Sequence, residues 1–130
     1  MTTITILDQD SPAGSLLIRL LDLLELGGER SQNSTWRVTA VEATGLDSET
    51  LHQAAHTGEW IDGNNLLSLA RGLDQVVDGR FAAYDRGQSE PWLLLRAVDS
   101  TSWDVASDDV ALLKEVRSRY HCVAECGNID

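Results

Sequence analysis

Three short apolar segments follow one another closely in the C-terminal half of the chain, and their spacing constrains the fold more than any other feature. The segments and the polar turns between them are 80–85, 86–90, 91–98, 99–101 and 102–106. A parallel crossover needs a dozen or more residues, so turns this short predict an antiparallel meander of three strands. The middle segment is apolar at consecutive positions from Trp92 to Leu95, hence on both faces, which is typical of a central, covered strand.

Hydrophobic periodicity and capping residues predict the other elements. A first helix begins at Ser11-Pro12, an N-cap followed by proline at the first helical position, and ends at Gly27-Gly28. Apolar residues at helical spacing predict a further helix over 64–77 with Gly79 as its stop. Three further strands are predicted over 3–7, 36–43 and 121–125, and a polar loop over 27–34. A short helix is predicted between Asp47 and Gly58, with Leu46 packed onto Leu51. A last helix is predicted over 108–119, capped by Ser107-Asp108-Asp109.

The predicted element order is β-α-β-α-α-β-β-β-α-β, in a single domain over residues 1–130. Helices packed on a sheet whose strands are joined by short turns indicate an α+β fold. We therefore expect a mostly antiparallel sheet and about four helices, on one or both of its faces.

The first helix is unusually apolar. Its polar residues form one narrow stripe: Ser15, Arg19, Asp22 and Glu25. The remaining positions are almost all leucine and isoleucine, so the helix is expected to be covered on nearly every side, by neighbouring helices or by a second copy of the chain. Leu20 and Leu24 should be among its most enclosed residues.

The chain carries 21 acidic and 10 basic residues, for a net charge of −11. Such a charge repels phosphate backbones and anionic lipids, so neither nucleic acid nor a membrane is expected as a partner, whereas a basic protein would be attracted. Solubility alone is the alternative reason for the charge. The N-terminus lacks the basic and apolar regions of a signal peptide, and the longest apolar stretch, Leu16–Leu26, is interrupted by charges, which predicts a cytoplasmic protein.

No motif predicts catalysis, a cofactor or a metal. His52 and His56 share a helix face with Glu49, but a zinc site needs a further ligand that the sequence does not offer. Cys122 and Cys126 lack a second half-site and, on one face of a strand, would lie about 13 Å apart, too far for a disulfide. The chain is therefore expected not to be an enzyme.

Two of the four tryptophans lie beside predicted turns and have acidic neighbours. Exposed aromatic residues ringed by carboxylates suit the binding of a basic partner, and the candidate partner-binding residues are Trp60, Asp62, Asp99, Trp103 and Asp104. The alternative is that these tryptophans cap the ends of the core, where Trp36 and Trp92 are expected. Arg96 interrupts an apolar strand and is predicted to have an acidic partner.

Three stretches between Leu66 and Val123 carry a family resemblance: Leu73-Asp74-Gln75-Val76-Val77-Asp78-Gly79, Asp99-Ser100-Thr101-Ser102-Trp103, and Ser107-Asp108-Asp109 leading to Arg119-Tyr120. In these the chain resembles small bacterial proteins that are the immunity partners of secreted toxins. The resemblance implies an acidic, single-domain, cytoplasmic protein that occludes a toxin rather than catalysing a reaction.

The sequence leaves two functions open, and a hydrolase or metal enzyme comes third. The first is a non-catalytic protein-binding domain, in the form of an immunity-type inhibitor of a basic toxin. The alternative is a homodimer that holds a small ligand in a cleft near the apolar first helix.

Overall fold

The fold, taken from a computed structural model, is built on one antiparallel sheet of seven strands in the order β3-β2-β4-β5-β6-β1-β7. The structure describes residues 1–7, 18–120 and 123–128. The strands are β1 (Thr2–Ile6), β2 (Thr35–Thr44), β3 (Trp60–Asp62), β4 (Gln75–Tyr84), β5 (Leu93–Val98), β6 (Ser102–Ser107) and β7 (Val123–Asn128). The predicted meander is β4-β5-β6, and every strand pair is antiparallel, which confirms the α+β class.

Five helices lie in the described residues and pack on one face of the sheet. They are α1 (Leu20–Leu26), α2 (Gly28–Asn33), α3 (Ser48–Thr57), α4 (Gly63–Arg71) and α5 (Val110–Arg119). Their buried side chains join a single hydrophobic core with alternate residues of the strands, such as Val38, Phe81, Leu95 and Val105. These four lie in one row across the sheet, because each is directly opposite the next. Side chains alternate along a strand, so the residues between them lie on the other face, where no helix of residues 18–120 packs.

The predicted burial of the first helix is confirmed in its described part. Leu20 and Leu24 are each 3% exposed, and α1 packs against α2, α4 and α5 within the monomer. The predicted helix start at Ser11-Pro12 lies outside the described residues, but a helix continuous to Leu26 is wrong, because Arg19 is extended and is the N-cap of α1. Neighbouring helices of the same chain therefore cover the leucines, and no second copy is needed to do so.

The loop predicted over 27–34 is wrong, because a short helix, α2, occupies most of it. Gly28 has a left-handed φ of +58°, which separates α2 from α1 and which glycine adopts without strain. Two backbone carbonyls of α2 accept side-chain hydrogen bonds: Ser34 Oγ donates to the carbonyl of Arg30 at 2.6 Å, and the indole of Trp36 donates to the carbonyl of Ser31 at 3.0 Å.

The predicted helix over 64–77 is wrong in its second half. Helix α4 ends at Arg71, and β4 begins at Gln75. The amide of Asp47 donates to the carbonyl of Gly72 at 3.0 Å, which ties the end of α4 to the start of α3. The amide of Asp74 then donates to the carbonyl of Thr44 at 2.8 Å and starts the pairing of β4 with β2. A partner strand that is distant in sequence thus overrides the helical spacing of the valines.

Other local predictions have mixed outcomes. The last helix is confirmed, and Asp109 caps it by accepting from the amide of Leu112 at 3.2 Å. Leu46 is 92% exposed while Leu51 is fully buried, so the expected contact between them is wrong. The short edge strand β3 was not predicted. Strand β7 confirms a strand near the C-terminus, but Cys122 lies outside the described residues, as does the side chain of Cys126, and their separation stays a prediction.

Candidate functional site

The structure separates the two tryptophans that the sequence grouped as a candidate site. Trp60 lies on the edge strand β3 and is 52% exposed. Trp103 lies on β6, is 1% exposed, and its indole donates to the carbonyl of Ile18 at 3.3 Å. The prediction of an exposed binding residue is therefore wrong for Trp103, since its position on β6 points it into the core beside Phe81.

The three predicted acidic residues lie at three separate places. Asp62 is exposed and caps α4 by accepting from the amide of Asn64 at 2.9 Å. Asp99 is exposed in the β5–β6 turn. Asp104 lies on β6, where it is mostly buried and contacts Arg96 and Thr5. Trp60 and Asp62 share one face of β3, whereas Trp103 and Asp104 are neighbours on β6 and lie on opposite faces.

The face of the sheet opposite helices α1 to α5, here called the open face, carries a different set of side chains. Its rows follow from the register of strands β3-β2-β4-β5-β6-β1. Its central residues are Arg37, Thr39, Trp60, Arg80, Ala82, Tyr84, Leu94, Arg96 and Asp104. Three of the ten basic residues of the chain therefore lie on this one face.

An ordered aromatic cluster forms the β3 end of the open face. Trp60 and Tyr84 meet edge to face with ring centroids 5.2 Å apart, and the guanidinium of Arg37 lies 4.7 Å from the Trp60 ring centroid. Arg37 is itself fixed, because its Nη2 donates to the carbonyl of Gly58 at 3.1 Å. The exposed indole of Trp60 is thus held in place by its contacts with Tyr84 and Arg37.

A row of charged residues crosses the middle of the open face. Arg80 lies directly opposite Arg96, which lies directly opposite Asp104. Arg96 donates through Nε and Nη2 to Oδ2 of Asp104 at 3.1 and 2.8 Å, and Thr5 Oγ1 donates to Oδ1 at 2.7 Å. The predicted acidic partner of Arg96 is confirmed, although the Arg96 side chain is 57% exposed and not enclosed as its strand position suggested.

Sequence reasoning missed Arg37, Arg80 and Tyr84 as surface residues, although a signal was present. Each alternates with a core residue of its strand: Arg37 with Trp36 and Val38, and Arg80 with Phe81. The period of two was used to find the strands, and it also places these polar residues together on the opposite face.

The histidine pair has a structural role for one of its members. Nε2 of His52 accepts from the amide of Ala43 at 3.1 Å. His52 on α3 therefore provides an acceptor for a backbone donor at the edge of β2. Within the described residues, no group of three or more histidine, cysteine, aspartate or glutamate side chains is arranged to hold a metal ion. In the same part of the chain, every buried side-chain nitrogen and oxygen has a hydrogen-bond partner.

Arg30 connects α2 to two acidic residues, Asp85 at the end of β4 and Asp109 at the start of α5. Arg30 stacks over Trp92 at 4.1 Å and donates to both carboxylate oxygens of Asp85, at 3.2 and 2.6 Å. Hydrogen bonding to Arg30 holds the pKa of Asp85 below its usual range, and the same contact raises the pKa of Arg30. Because Arg30 also approaches Asp109 at 3.5 Å, this guanidinium is occupied by the protein itself.

A shallow cleft lies where α1 begins and α4 ends. Its enclosed volume is about 30 Å³, well below the roughly 300 Å³ at which ligand pockets begin. Its walls combine apolar and polar residues: Ile18, Arg19, Leu20, Ala70, Leu73, Asp74, Gln75 and Val76. The cleft adjoins the apolar first helix, where the alternative function predicts a ligand.

Comparisons of the chain with protein-family models, with curated proteins and with solved structures found no match. No helix among the described residues is both long and apolar enough to cross a membrane.

Proposed function

We propose that this protein is a non-catalytic protein-binding domain whose binding surface is the open face, with the Trp60 end as its centre. The observation that carries the proposal is the exposed, ordered indole of Trp60 between Tyr84 and Arg37. Tryptophan, tyrosine and arginine are the residue types that most often dominate binding energy at protein interfaces.

The order of this cluster favours binding because little freedom remains to be lost on association. Immobilising a flexible side chain costs about 0.5–1.5 kcal/mol at an interface. Trp60 and Arg37 already restrain each other, and the Gly58 carbonyl fixes Arg37. A partner that covers Trp60 would therefore meet a surface that is already arranged.

The specific form that we propose is an immunity-type inhibitor, which acts by covering part of a toxin. The net charge of −11 attracts a basic partner over a distance, and the acidic residues Glu59 and Asp62 are exposed on either side of the Trp60 position. Attraction of this kind is screened by salt. The association rate with such a toxin should therefore fall steeply as the ionic strength rises.

The test compares the full chain with Trp60→Ala, each immobilised as bait against a lysate of the native host. A protein retained by the wild-type chain and lost with the variant would then be purified and its affinity measured by calorimetry. We expect Trp60→Ala to weaken binding about 30-fold or more, the effect of losing roughly 2 kcal/mol at a hot spot.

The matched control is Leu46→Ala, which truncates another large, exposed apolar residue away from the open face. This variant should bind like the wild type. Equal affinity of the Trp60→Ala and wild-type chains for every captured protein would contradict the proposal.

The second candidate is a small-ligand-binding role, and the position of the cleft beside α1 makes that cleft the place to test it. Ala70 is buried at its wall, so Ala70→Phe would fill the space without touching the open face. The fluorescent dye anilinonaphthalene sulfonate should bind the wild type saturably and the variant weakly. Dye binding that is equal in both chains would remove the cleft as a ligand site.

A further inference from the structure

Two arginines face each other on the open face without a shared counterion. Arg80 and Arg96 are directly opposite on neighbouring strands, where like charges destabilise a sheet. Asp104 pairs with Arg96. Within residues 1–7, 18–120 and 123–128, no carboxylate lies within ion-pair distance of Arg80 and no hydrogen bond engages its guanidinium.

The nearest acidic residue along the strand is already engaged. Asp78 lies two residues from Arg80, hence on the same face, but its Oδ1 accepts from the amide of Asp99 at 2.9 Å. Glu42 lies opposite Asp78 on β2, one step farther from the arginine pair. The sheet thus brings Arg80 next to another cation while its neighbouring carboxylate is turned to the β5–β6 turn.

We infer that Arg80, together with the donors of Arg96 that Asp104 leaves unused, receives a single carboxylate from the protein that the open face binds. This inference rests on the proposed function and identifies the chemistry of the partner segment. The planar fork of a guanidinium matches a carboxylate with two parallel hydrogen bonds. A partner carboxylate would supply the negative charge that the Arg80–Arg96 pair lacks.

The overall charge limits how many carboxylates that segment can carry. A run of acidic residues, or the backbone of a nucleic acid, would be repelled by a chain of net charge −11. One carboxylate among neutral residues avoids most of that repulsion. It is also compatible with a partner that is basic elsewhere.

The distance between the arginine pair and the aromatic cluster sets the spacing in the partner. Arg80 lies two strands from Trp60 in the sheet order and two residues along from its row. With strands about 4.8 Å apart and about 3.3 Å per residue, the separation is roughly 12 Å, which three or four extended residues span. The partner segment should therefore carry an apolar residue three or four positions from its acidic one.

The probe is the blocked pentapeptide acetyl-Leu-Thr-Ser-Thr-Glu-amide, with a twin that has glutamine in place of glutamate. Titration of the full chain would be followed by NMR at the arginine Nε–Hε groups and at the tryptophan indoles. We expect the glutamate peptide to shift the signals of Arg80, Arg96 and Trp60. The glutamine twin should bind at least about tenfold more weakly, since a charge-assisted pair is lost.

Three variants show where the carboxylate binds. Arg80→Gln should abolish the preference for glutamate over glutamine, and Arg80→Lys, which keeps the charge but not the fork, should retain part of it. Arg71→Gln removes an equal charge at the exposed end of α4 and should leave the preference unchanged. Equal affinity of the two peptides for the wild type, no shift at Arg80 in millimolar peptide, or a stronger response to inorganic phosphate would overturn the inference.

The same variants separate this inference from the proposed function. A host protein whose binding is lost with Trp60→Ala and also falls at least tenfold with Arg80→Gln supports both. Loss with Trp60→Ala alone would leave the binding surface in place and overturn the carboxylate anchor. Insensitivity to both changes would overturn both.

Discussion

The covered face and the open face of the sheet are built from the same strands but carry side chains of opposite kinds. On the covered face, Trp36, Phe81 and Trp103 are almost completely enclosed by helices. On the open face, Trp60 keeps about half of its surface in solvent, and charged residues surround it. For an aromatic residue near a turn, the face of the sheet on which its side chain lies therefore decides whether it is buried or exposed.

The arginines of the two faces also differ in the partners that they contact. At the margin of the covered face, Arg30 has a carboxylate with two contacts and an aromatic ring to stack on. On the open face, Arg80 lies beside another arginine instead. Natural proteins violate local rules mainly at functional sites, so this contrast directs attention to the open face.

The largest expected effect separates the two tryptophans. Trp103→Ala should lower the free energy of unfolding by about 3–5 kcal/mol, because it leaves a cavity in the core. Trp60→Ala should lower it by less than about 1 kcal/mol, because the ring is half exposed and loses only contacts with Arg37 and Tyr84. Urea unfolding measures both, and equal losses would break the distinction between the faces.

The leucines of α1 test how firmly the helix layer closes the covered face. Leu20→Ala and Leu24→Ala should each cost about 2–5 kcal/mol in urea unfolding. Leu46→Ala, at a fully solvated position, should change stability by less than about 0.5 kcal/mol. A loss at Leu20 or Leu24 as small as that at Leu46 would show that the helix layer does not enclose them.

The contact between Arg30 and Asp85 should make a smaller, pH-dependent contribution. Because the folded-state pKa of Asp85 is lowered, its stabilisation is present above the unfolded value of about 3.9 and is lost as pH falls below it. Both side chains are partly exposed, so Asp85→Asn should cost less than about 1 kcal/mol at pH 7.

The measurement for this contact is the unfolding free energy of the wild type and of Asp85→Asn between pH 7 and pH 2.5. The difference between the two chains should shrink below pH 4. Asp74→Asn, an exposed carboxylate, is the control and should show no such difference. A difference between wild type and Asp85→Asn that is constant down to pH 2.5 would contradict the assigned contact.

The smallest effect concerns the turn that joins β5 to β6. Asp99 and Ser100 have φ values of +49° and +58°, which cost side-chain-bearing residues energy. Ser100→Gly should therefore stabilise the fold, by about 0.5 kcal/mol once the greater entropy of unfolded glycine is subtracted. Ser89→Gly in the loop after β4 should give no gain, and a gain there of equal size would refute the backbone explanation.

Much of the covered face was predictable from local patterns. The alternation in Trp36–Ala43 and the consecutive apolar residues from Trp92 to Leu95 predicted strands that β2 and β5 confirm. The leucines of α1 likewise predicted an enclosed helix, because apolar residues at helical spacing identify a face that has to be buried. The acidic cap of α5 is equally local, since Asp109 bonds to an amide three residues away.

The error over 64–77 occurred where a distant segment decided the outcome. Val76 and Val77 have helical spacing with Leu69 and Leu73, yet β2, which lies some thirty residues earlier, draws them into β4. The amide of Asp47, also distant in sequence, donates to the carbonyl of Gly72 where that helix ends. No local pattern contains this information, because each contact is formed with a segment far away in the chain.

By itself, the sequence determined the α+β class, the antiparallel meander, the enclosed first helix and a strongly acidic surface, since these follow from period, turn length and charge. Only the tertiary structure decided which tryptophan is exposed and which arginines become neighbours. Trp60 and Trp103 have similar local surroundings, and Arg80 and Arg96 are sixteen positions apart in the chain. Strand register converts those separations into contacts, and register depends on the whole sheet.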